Sequence, residues 1–584
     1  MAIVNLDFCK KYYGLSSVNE IKTAFLTEEY KWQTFSPDFC PIKYACNNSE
    51  VHEKNLPPVG HFLRLKESEK NSFKIEPIKN YNNEIYLSTD KKKSIKHKKI
   101  VLHLHIYYQP YITYIFQILS KRKIDFDVII TTTDSLSSKV KEKFNKKSFG
   151  KNVKIFNVEN RGRNFLPLFV SIRDEILKYD VIFHIHSKMS LYSGNPKLLW
   201  GDYLISSLVG QDKIMDNHIS LINEGRYDCI APVPFPSLPG WASHTLKNDR
   251  YLQEYSNNND ALKVRSWIAY PIGGMFCMSK KLFRKILDLD IRKEKFPHEP
   301  SGPDGEYHHF LERAIGLISG SGLIFHNTVK LNYVLPEDVL KEEFSRATKS
   351  NFYGLVKNLK TVSFDFFDTL VFRQFPSENY AKEVIGNLFK FEYQKIRDLA
   401  ELKIRTKLKR DVGLLDIASE MQQYAKSLNG KTPQFLTDLE KKVEISCLQP
   451  RQSALDMLNY CFENKKEVVI VSDSFYDEIF IKEVFQKCFP ELIKQLTSVK
   501  FYISSEIGLR KDTGTIWDFI HGHLPQKSML HVGDNVVSDL QIPSEFIHTH
   551  YVSNAKDEIE VASGFSEELK KLMRYNCNMA RVIS

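Results

Sequence analysis

The sequence contains no long apolar run. No stretch of its 584 residues approaches the ~20 consecutive apolar residues that a membrane-spanning helix needs. Its first residues, MAIVNLD, also lack the basic region and apolar core of a secretory signal. We therefore expect a cytoplasmic protein, and a peripheral position at the inner face of the membrane is the alternative.

Cysteine is sparse and irregularly spaced. The chain has nine cysteines, an odd number, and no Cys-x-x-Cys pair. A disulfide framework needs an even set, and a zinc ribbon needs paired cysteines at short spacing. The pattern therefore excludes both and predicts reduced, buried thiols.

Signatures of nucleic-acid recognition are missing, although the net charge is +11. No helix-turn-helix, zinc-finger or RNA-binding pattern occurs, so we expect no nucleic-acid partner. The densest basic run is at residues 91–99 (KKKSIKHKK). Such a run is either a solvated linker or a contact for anionic lipid or another polyanion.

What the sequence does contain is a regular alternation of strand and helix patterns. Four apolar runs predict strands at residues 100–107, 126–131, 153–157 and 181–185. The segments between them predict helices at residues 111–119, 135–146 and 165–177, and a later helix is predicted near residues 307–316. This alternation predicts an α/β domain with a parallel, doubly wound sheet.

A second strand–helix system begins at residue 361. Its predicted strands are residues 362–366, 467–471, 499–503 and 528–532, with a helix-rich insertion at about 379–462. We divide the chain into an N-terminal accessory segment (1–98), a first α/β domain (99–335), a helical connector (336–358), a second α/β domain (359–560) and a helical tail (561–584).

Four short runs fall at the predicted strand ends of the second domain. They are residues 363–370 (SFDFFDTL), 471–473 (VSD), 510–511 (RK) and 533–539 (GDNVVSD). Open α/β sheets bind ligands at the carboxyl ends of their strands, so these runs can converge. The runs supply a carboxylate nucleophile, a hydroxyl, a cation and acids that can hold magnesium, in the order Asp365, Ser472, Lys511, Asp534 and Asp539.

The second domain, over about residues 358–560, resembles the haloacid dehalogenase (HAD) superfamily in the order of these runs. The resemblance implies that Asp365 is the nucleophile, that Ser472 and Lys511 anchor phosphate, and that Mg²⁺ is held by Asp365 with Asp534 and Asp539. It also implies that the helical insertion is a cap.

The first run departs from the pattern of phosphatases in that superfamily. They usually have Asp-x-Asp-x-Thr, whereas residues 365–369 are DFFDT and place Phe367 at the usual acid/base position. Two interpretations remain open. Either Asp368 reaches the leaving group from the next position, or it caps the turn and the domain is a slow phosphatase, a phosphate-binding module or a remnant.

Polar residues also follow the predicted strands of the first domain. Residues 160–164 (NRGRN) form either a phosphate-binding turn, through Arg161, Gly162 and Arg163, or an ordinary surface turn. The pairs His103/His105 and His184/His186 lie on one face of each strand. They either bind a transition metal or are hydrogen-bonded histidines that lie in the core or face the substrate. Lys188, directly after the second pair, can hold a diphosphate without metal.

The third group of polar residues lies further along the first domain. Gly273 and Gly274 allow a sugar or backbone to approach closely. Glu299 and Asp304 lie before the predicted helix at 307–316, where an acid can act as a general base toward a hydroxyl or simply cap the helix.

Together these runs resemble the rhamnan synthesis protein F family of polysaccharide glycosyltransferases over about residues 98–325. The matching residues include His103-Leu104-His105, residues 160–163, residues 184–188, Trp200, residues 273–276, Asp304-Gly305 and Leu311-Glu312-Arg313. The resemblance implies a nucleotide-sugar transferase of the GT-A type with a glycan or lipid-linked glycan acceptor. Its usual Asp-x-Asp metal site is replaced by His184-Ile185-His186, so the metal of this domain stays unassigned.

The mechanism implied by this resemblance is inverting transfer. Asp304 removes a proton from the acceptor hydroxyl, with Glu299 as the rival base, and Arg161, Arg163 and Lys188 stabilise the departing diphosphate. The donor site would also include Gly162, His184, His186, Gly273 and Gly274.

Three functional hypotheses follow. The first is a glycosyltransferase that builds a capsule or O-antigen type polysaccharide and is fused to a HAD-like domain. The second is a magnesium-dependent HAD phosphatase that acts on a sugar phosphate. The third makes the HAD-like domain a scaffold in a polysaccharide assembly complex.

Overall fold

The computed structural model describes residues 4–71, 73, 76–86, 98–144, 151–189, 198–263, 266–349, 351–373, 379–389, 392–424, 430–522 and 528–553. The chain divides into two compact units, Met1–Phe344 (unit 1) and Ser345–Ser584 (unit 2). Both are α/β, which confirms the predicted fold class. Within the described ranges, no helix has the length and apolar character needed to cross a membrane. The predicted tail at 561–584 and residues 91–97 of the basic run lie outside these ranges.

Unit 1 is built on a nine-stranded sheet with the order β1-β9-β8-β6-β7-β5-β2-β3-β4. Its central strands are rich in β-branched residues and fully buried, as expected for strands covered on both faces. The strands are β1 (Glu84–Ile85), β2 (Ile100–Ile106), β3 (Asp127–Thr132), β4 (Val153–Asn157), β5 (Val181–His186), β6 (Cys229–Pro232), β7 (Phe276–Ser279), β8 (Leu323–Asn327) and β9 (Asn332–Val334).

Only part of this sheet has the predicted parallel arrangement. Strands β5, β2, β3 and β4 are parallel neighbours, as the alternation of patterns indicated. The other half is mixed, because β7 runs antiparallel to both β5 and β6, and β9 runs antiparallel to β8. Residues 328–331 between β8 and β9 are too few for a crossover helix, so a parallel pair cannot form there.

The helices of unit 1 cover this sheet and also form an N-terminal helical layer. They are α1 (Leu6–Tyr13), α2 (Val18–Ala24), α3 (Pro41–Cys46), α4 (Ser49–Glu53), α5 (Pro58–Arg64), α6 (Glu67–Lys70), α7 (Pro110–Leu119), α8 (Asp134–Phe144), α9 (Arg173–Ile176), α10 (Leu198–Val209), α11 (Asp212–Asn223), α12 (Asp249–Ser256), α13 (Lys280–Leu287), α14 (Tyr307–Ser319) and α15 (Pro336–Thr348). Residues 345–348 of α15 belong to unit 2. The helix predicted at 165–177 is instead a π-helical turn, Pro167–Ser171, followed by the short α9.

The N-terminal segment is part of the core of unit 1. Phe25, Phe35 and Phe62 are buried in the same apolar cluster as the central strands. The buried ammonium of Lys31 forms an ion pair of 2.7 Å with Asp202 on α10. These contacts join the first 98 residues to the sheet-bearing part of the unit.

Unit 2 contains a five-stranded parallel sheet with the order β14-β13-β10-β15-β16. Its strands are β10 (Thr361–Phe364), β13 (Glu467–Ser472), β14 (Lys500–Ile503), β15 (Met529–Gly533) and β16 (His548–Tyr551), and a separate ribbon pairs β11 (Val371–Arg373) with β12 (Leu448–Pro450). Because the five strands are parallel, their carboxyl ends meet at one edge, and β10 lies at the centre.

A helical cap is inserted between β11 and β12, as the sequence predicts. It has its own apolar core, which includes Ile385, Ile404, Ile417 and Leu436. The helices of unit 2 are α16 (Phe352–Val356), α17 (Tyr380–Phe389), α18 (Tyr393–Leu408), α19 (Leu414–Met421), α20 (Pro433–Cys447), α21 (Gln452–Glu463), α22 (Glu478–Cys488), α23 (Ser504–Ile507) and α24 (Thr515–His521). Helices α17 to α20 form the cap.

Candidate functional site

The carboxyl edge of the unit 2 sheet gathers a compact charged cluster. Asp365 follows β10 directly and is held by a hydrogen bond of 2.8 Å from its backbone N–H to the carbonyl of Val532 on β15. The Nζ of Lys511 lies 2.6 Å from Asp365 Oδ1 and 2.6 Å from Asp539 Oδ1. Three of the residues predicted from separate motifs therefore meet in one buried ion-pair network.

Asp539 is fixed from several sides. Its Oδ2 accepts a hydrogen bond of 3.0 Å from the backbone N–H of Asn535, and its Oδ1 lies 3.2 Å from His531 Nε2. His531 Nδ1 in turn lies 2.8 Å from Ser363 Oγ on β10. Sequence reasoning missed His531, although its place on the last strand before the GDNVVSD turn was a signal that it faces the site.

Burial and charge set the protonation of these groups. Burial raises the pKa of Asp365 to about 7, and Lys511 opposes that shift. Although burial acts in the opposite sense, Lys511 and His531 hold the pKa of Asp539 below its usual range. The two carboxylates likewise raise the pKa of Lys511 against the effect of burial, so its ammonium stays charged.

Three carboxylates of this cluster could hold a metal ion together. Oxygens of Asp365, Asp534 and Asp539 lie within 4.8 Å of one another, and within the described ranges they form the one group of three or more His, Cys, Asp or Glu side chains with this property. The hydroxyl of Thr369 donates to Asp534 Oδ1 at 3.1 Å. A set of hard oxygen donors of this kind fits Mg²⁺.

Ser472 and Asp473 close the other side of the site. Ser472 is buried at the end of β13, and its contact with phosphate stays a prediction. The Asp473 carboxylate accepts the backbone N–H of Lys511 with both oxygens, at 2.8 and 3.0 Å. Asp473 therefore positions the loop that presents Lys511, a role that the sequence did not reveal.

The residues at the departure from the phosphatase pattern both contact Arg373. Asp368 has a left-handed backbone (φ +59°), and its Oδ2 lies 3.3 Å from Arg373 Nη1. Arg373 also donates from Nε to Glu444 Oε1 of the cap at 2.9 Å. The guanidinium lies 5.2 Å from the centroid of the Phe367 ring.

In unit 1 the two His-x-His pairs meet, because β2 and β5 are neighbours and their register pairs His103 with His184 and His105 with His186. Asn164 Nδ2 donates to His184 Nε2 at 3.0 Å, and the Nδ1 atoms of His184 and His103 lie 2.9 Å apart. Thr131 Oγ1 lies 2.9 Å from His103 Nε2 and 3.0 Å from His105 Nδ1. These contacts match the hydrogen-bonded core alternative of the two that the sequence left open.

Desolvation keeps these imidazoles neutral. Burial lowers the pKa of His105 to about 4 and that of His186 to about 3, and it lowers the pKa values of His103 and His184 well below the usual value. His186 Nε2 lies 2.9 Å from the carbonyl of Gly273. His186 therefore supports the glycine turn.

The two arginines of the 160–164 turn point to different partners. Arg161 donates from Nε to the carbonyl of Phe296 at 2.9 Å, which ties the turn to a neighbouring loop. Arg163 donates from Nη2 to the carbonyl of Gly302 at 2.8 Å, and its Nη1 lies 3.1 Å from His309 Nε2. Arg163 is exposed, so it is the arginine available to a ligand.

Lys188 and Glu312 lie at the carboxyl edge of β5 beside the glycine turn. The Nζ of Lys188 lies 4.0 Å from the centroid of the Trp200 ring, and burial lowers its pKa to about 8. Glu312 Oε1 accepts the backbone N–H of Gly273 at 2.7 Å, and burial raises the pKa of this carboxyl. Glu312 was not predicted as a site residue, although it lies in the sequence run that carried the family resemblance.

A side chain at position 273 would collide with its neighbours. Gly273 has φ +102°, and an added Cβ would lie 2.7 Å from Leu204 and 3.1 Å from Trp200. The close approach predicted for Gly273 is therefore made by protein side chains. Gly274 also has a positive φ, of +70°.

The two candidate bases differ in their surroundings. Asp304 is buried against Arg313, with Oδ1 3.2 Å from Nη2, and accepts from Asn248 Nδ2 at 3.0 Å. Glu299 Oε2 accepts from the backbone N–H and the hydroxyl of Ser301, both at 2.9 Å. Its Oε1 is buried and has no hydrogen-bond partner in the part of the chain that the structure describes.

Comparison with known families agrees with the resemblance inferred for the first half. Residues 75–321 match the model of the family described as Rhamnan synthesis protein F. The chain is also similar to proteins named "Uncharacterized protein WxcX" from two strains of Xanthomonas campestris pv. campestris, at 25% and 24% identity over 168 residues. The match covers 27% of this chain and 23% of either relative.

Comparison with solved structures finds enzymes of the HAD family. One, from Bacteroides thetaiotaomicron, is a complex with magnesium and inorganic phosphate and is 16% identical, with a TM-score of 0.27 over 34% of this chain and 96% of that one. A haloacid dehalogenase-like hydrolase from Xanthomonas campestris is also 16% identical, with a TM-score of 0.26 over 34% and 83% of the two chains.

Proposed function

We propose that unit 1 transfers a sugar from a nucleotide-sugar donor to a growing cell-surface polysaccharide of the capsule or O-antigen type. The observation that carries this proposal is the position of Lys188 and Arg163 at the carboxyl edge of the sheet, within the segment that matches the rhamnan synthesis family. Cations at such an edge suit the diphosphate of a nucleotide sugar.

In this proposal the transfer is an inverting displacement. An enzyme carboxylate takes the proton of the acceptor hydroxyl, and the hydroxyl oxygen bonds to the anomeric carbon. The bond between that carbon and the diphosphate oxygen breaks, and Lys188 and Arg163 stabilise the charge that develops on the diphosphate. The acceptor is a glycan or a lipid-linked glycan.

Glu299 is the better supported of the two candidate bases. A base needs an oxygen that can receive a proton. Glu299 Oε1 has no hydrogen-bond partner among the described residues, and its ion-pair contact with Arg163 Nε is long, at 4.0 Å. Asp304 is already occupied by Arg313 and Asn248. We therefore assign proton removal to Glu299 and positioning of α14 to Asp304.

A comparison of matched variants tests this assignment. Glu299→Gln should lower kcat for transfer by about 100- to 10,000-fold, the usual contribution of a general base. Asp304→Asn should lower the melting temperature, and it should reduce kcat less than Glu299→Gln does. The opposite ranking would return the role of base to Asp304.

A second function is favoured for unit 2, namely magnesium-dependent phosphoryl transfer through Asp365. The supporting observation is the cluster in which Asp365, Asp534 and Asp539 can hold a metal ion while Lys511 contacts two of them. When bound, Mg²⁺ would neutralise charge on the transferring phosphoryl group. A scaffold role in an assembly complex remains the non-enzymatic alternative.

The second function is tested on the full chain. Magnesium-dependent release of phosphate from p-nitrophenyl phosphate should be abolished by Asp365→Asn and retained in Lys188→Met, which changes only unit 1. If the full chain releases no phosphate, the scaffold alternative is favoured.

A further inference from the structure

We propose that helix α18 of the cap is a contact surface for an anionic lipid bilayer, so that the chain binds a membrane peripherally through its second unit. This contact is independent of both activities proposed above. It is carried by the outward face of α18, where lysine and leucine side chains lie together.

One face of α18 is fixed inside the cap. Tyr393, Ala400 and Ile404 are buried in the cap core. The buried Arg397 pairs with Glu440 of α20 at 3.3 Å. These residues recur at the spacing of a single helix face, so the opposite face of α18 points away from the cap core.

The outward face carries cations and apolar side chains side by side. Its residues are three or four positions apart, which places them in one stripe along the helix. Leu399 and Leu402 are 49% and 65% exposed. The exposed residues of this α18 stripe are Lys395, Leu399, Leu402, Lys403, Thr406 and Lys407.

The charge of the stripe is positive. It contains three lysines and no Asp or Glu, and the exposed Lys409 and Arg410 follow it directly. At the edge of the face, Asp398 is paired with Lys382 of α17 at 2.6 Å. Positive charge is therefore densest toward the carboxyl end of the helix.

Three of these cations also have carboxylate partners within the cap. Lys395 lies 3.1 Å from Glu392, Lys403 lies 3.2 Å from Glu420, and Arg410 lies 3.5 Å from Asp416. Surface pairs of this kind hold their partners weakly. The ammonium groups can therefore turn toward an external anion.

The helix dipole does not account for this composition. It favours cations in the last turn of a helix, such as Lys407. Lys395, however, lies in the first turn, where the dipole disfavours a cation and where α18 has no acid. The dipole also gives no reason to expose Leu399 and Leu402 to water. A partner that contacts cations and leucines at once accounts for both features.

An anionic bilayer offers both kinds of contact. Leucine side chains can enter the boundary between headgroups and acyl chains, while lysine stems lie along it and their ammonium groups reach lipid phosphates. A second copy of the stripe would bring like charges together, which repel. The mixture of leucine and lysine therefore fits a lipid surface better than a copy of itself.

Such a contact depends on the charge of the lipid. Two partly exposed leucines contribute less apolar surface than one myristoyl chain, whose membrane binding is itself marginal. Each Lys or Arg near an anionic surface strengthens binding about fivefold. We therefore expect reversible binding that requires anionic lipid and weakens as salt is added.

Co-sedimentation of the full chain with phosphatidylcholine vesicles, with or without phosphatidylglycerol, tests the surface. The chain should sediment only with the anionic vesicles. Lys395→Gln, Lys407→Gln and Lys409→Gln combined should weaken binding by about 100-fold, because three charges are removed. Leu399→Ser combined with Leu402→Ser should weaken it by at least about tenfold.

Two control variants match these changes. Lys91→Gln, Lys92→Gln and Lys93→Gln combined remove the same charge from the basic run at residues 91–99 and should leave vesicle binding unchanged. Ile479→Ser removes a side chain that is 78% exposed on α22, outside the cap, and should also leave it unchanged.

A fluorescent pair reports the contact without loss of binding. Leu402→Trp places an indole in the stripe, where it should enter the lipid interface that this side chain prefers. Its emission should shift to shorter wavelength when anionic vesicles are added. The added indole of Ile479→Trp should show no such shift.

The remaining outcomes contradict the proposal. Failure to sediment with anionic vesicles, or equal sedimentation with neutral ones, would overturn it. Loss of binding in the 91–93 variant alone would assign the contact to that basic run, and equal losses in both charge variants would show that net charge alone governs binding. Self-association that is lost in the leucine variant, without vesicle binding, would assign the stripe to a second copy.

Discussion

At the scale of single residues, Lys511 holds two carboxylates of the unit 2 site together. It lies between Asp365 and Asp539, two buried groups that would otherwise repel each other. Its own loop is held by Asp473 through two backbone contacts. The cluster is therefore preformed, and the function of the site depends on small displacements of its oxygens.

Gly533 gives a direct test of that preformed geometry. A Cβ at position 533 would lie 2.4 Å from the Asp539 carboxyl, so Gly533→Ala must displace this group. We expect Mg²⁺ affinity to fall by about 10- to 100-fold, as for other changes that misplace metal ligands. Isothermal titration calorimetry of the full chain with Mg²⁺ measures this affinity.

Gly522→Ala is the control for that substitution. Gly522 has ordinary right-handed backbone angles, and its added Cβ would meet atoms no closer than 3.5 Å. Its Mg²⁺ affinity should equal that of the unaltered chain. Equal affinities for all three proteins would show that Asp539 does not contribute to a metal site.

Lys188 makes the unit 1 site sensitive to pH. Burial lowers its pKa to about 8, while Glu312 acts to raise it and Arg163 to lower it. The charged form exists below this pKa, so binding of a nucleotide diphosphate should weaken as pH rises through about 8, by up to about tenfold per unit.

Titration of the full chain with nucleotide at several pH values measures this dependence. Lys188→Arg keeps a cation over Trp200 that does not lose its charge in this range, so its affinity should stay constant. An unaltered pH dependence in this variant would assign the titrating group to another residue.

Secondary-structure elements differ in how well the sequence predicted them. The strands β2 to β5 and four of the five strands of the unit 2 sheet were predicted, because each is an apolar, β-branched run whose pattern depends on local sequence. The edge strand β16 was not predicted. The antiparallel pairing of β7 and the contribution of the N-terminal helices to the core depend on long-range packing, and no local pattern encodes it.

The contacts within the candidate sites also differ in how well the sequence predicted them. Motif order predicted that Asp365, Lys511 and Asp539 would meet, because parallel strands bring their carboxyl ends together. It did not predict that Arg161 and Arg163 would diverge, or that Glu312 would hold the glycine turn. Those outcomes depend on side-chain direction, which spacing along the sequence does not give.

Helix α18 offers a stability test at the level of elements. Arg397 is fully buried between Glu401 and Glu440, and Glu440 is also buried. Arg397→Met should lower the free energy of unfolding by about 3–5 kcal/mol, because it leaves a buried carboxylate unpaired. Urea unfolding followed by circular dichroism measures it.

Lys395→Met on the same helix is the control. Lys395 pairs with Glu392 on the surface, with both side chains largely exposed. Such pairs contribute little, so unfolding should be unchanged. Similar decreases in the free energy of unfolding for the two variants would mean that water enters the cap and solvates the buried Glu440 carboxylate.

On the scale of the whole molecule, the chain combines two sites of different chemistry. Unit 1 presents Lys188, Arg163 and the Glu299 carboxyl, whose Oε1 lies 4.0 Å from Arg163 Nε, whereas unit 2 presents carboxylates around a lysine. We expect each site to keep its ligand when the other is inactivated. This independence makes each unit a control for the other within one full-length protein.

The most direct test of the proposed transferase is a thermal-shift screen of the full chain against nucleotide sugars. A ligand present at about 100 times its Kd stabilises the folded state by about 2.7 kcal/mol, so binding should raise the melting temperature. We predict stabilisation by at least one donor, lost in Lys188→Met and kept in Asp365→Asn. No stabilisation by any nucleotide sugar, or a loss caused by Asp365→Asn instead, would contradict the assignment of the donor site to unit 1.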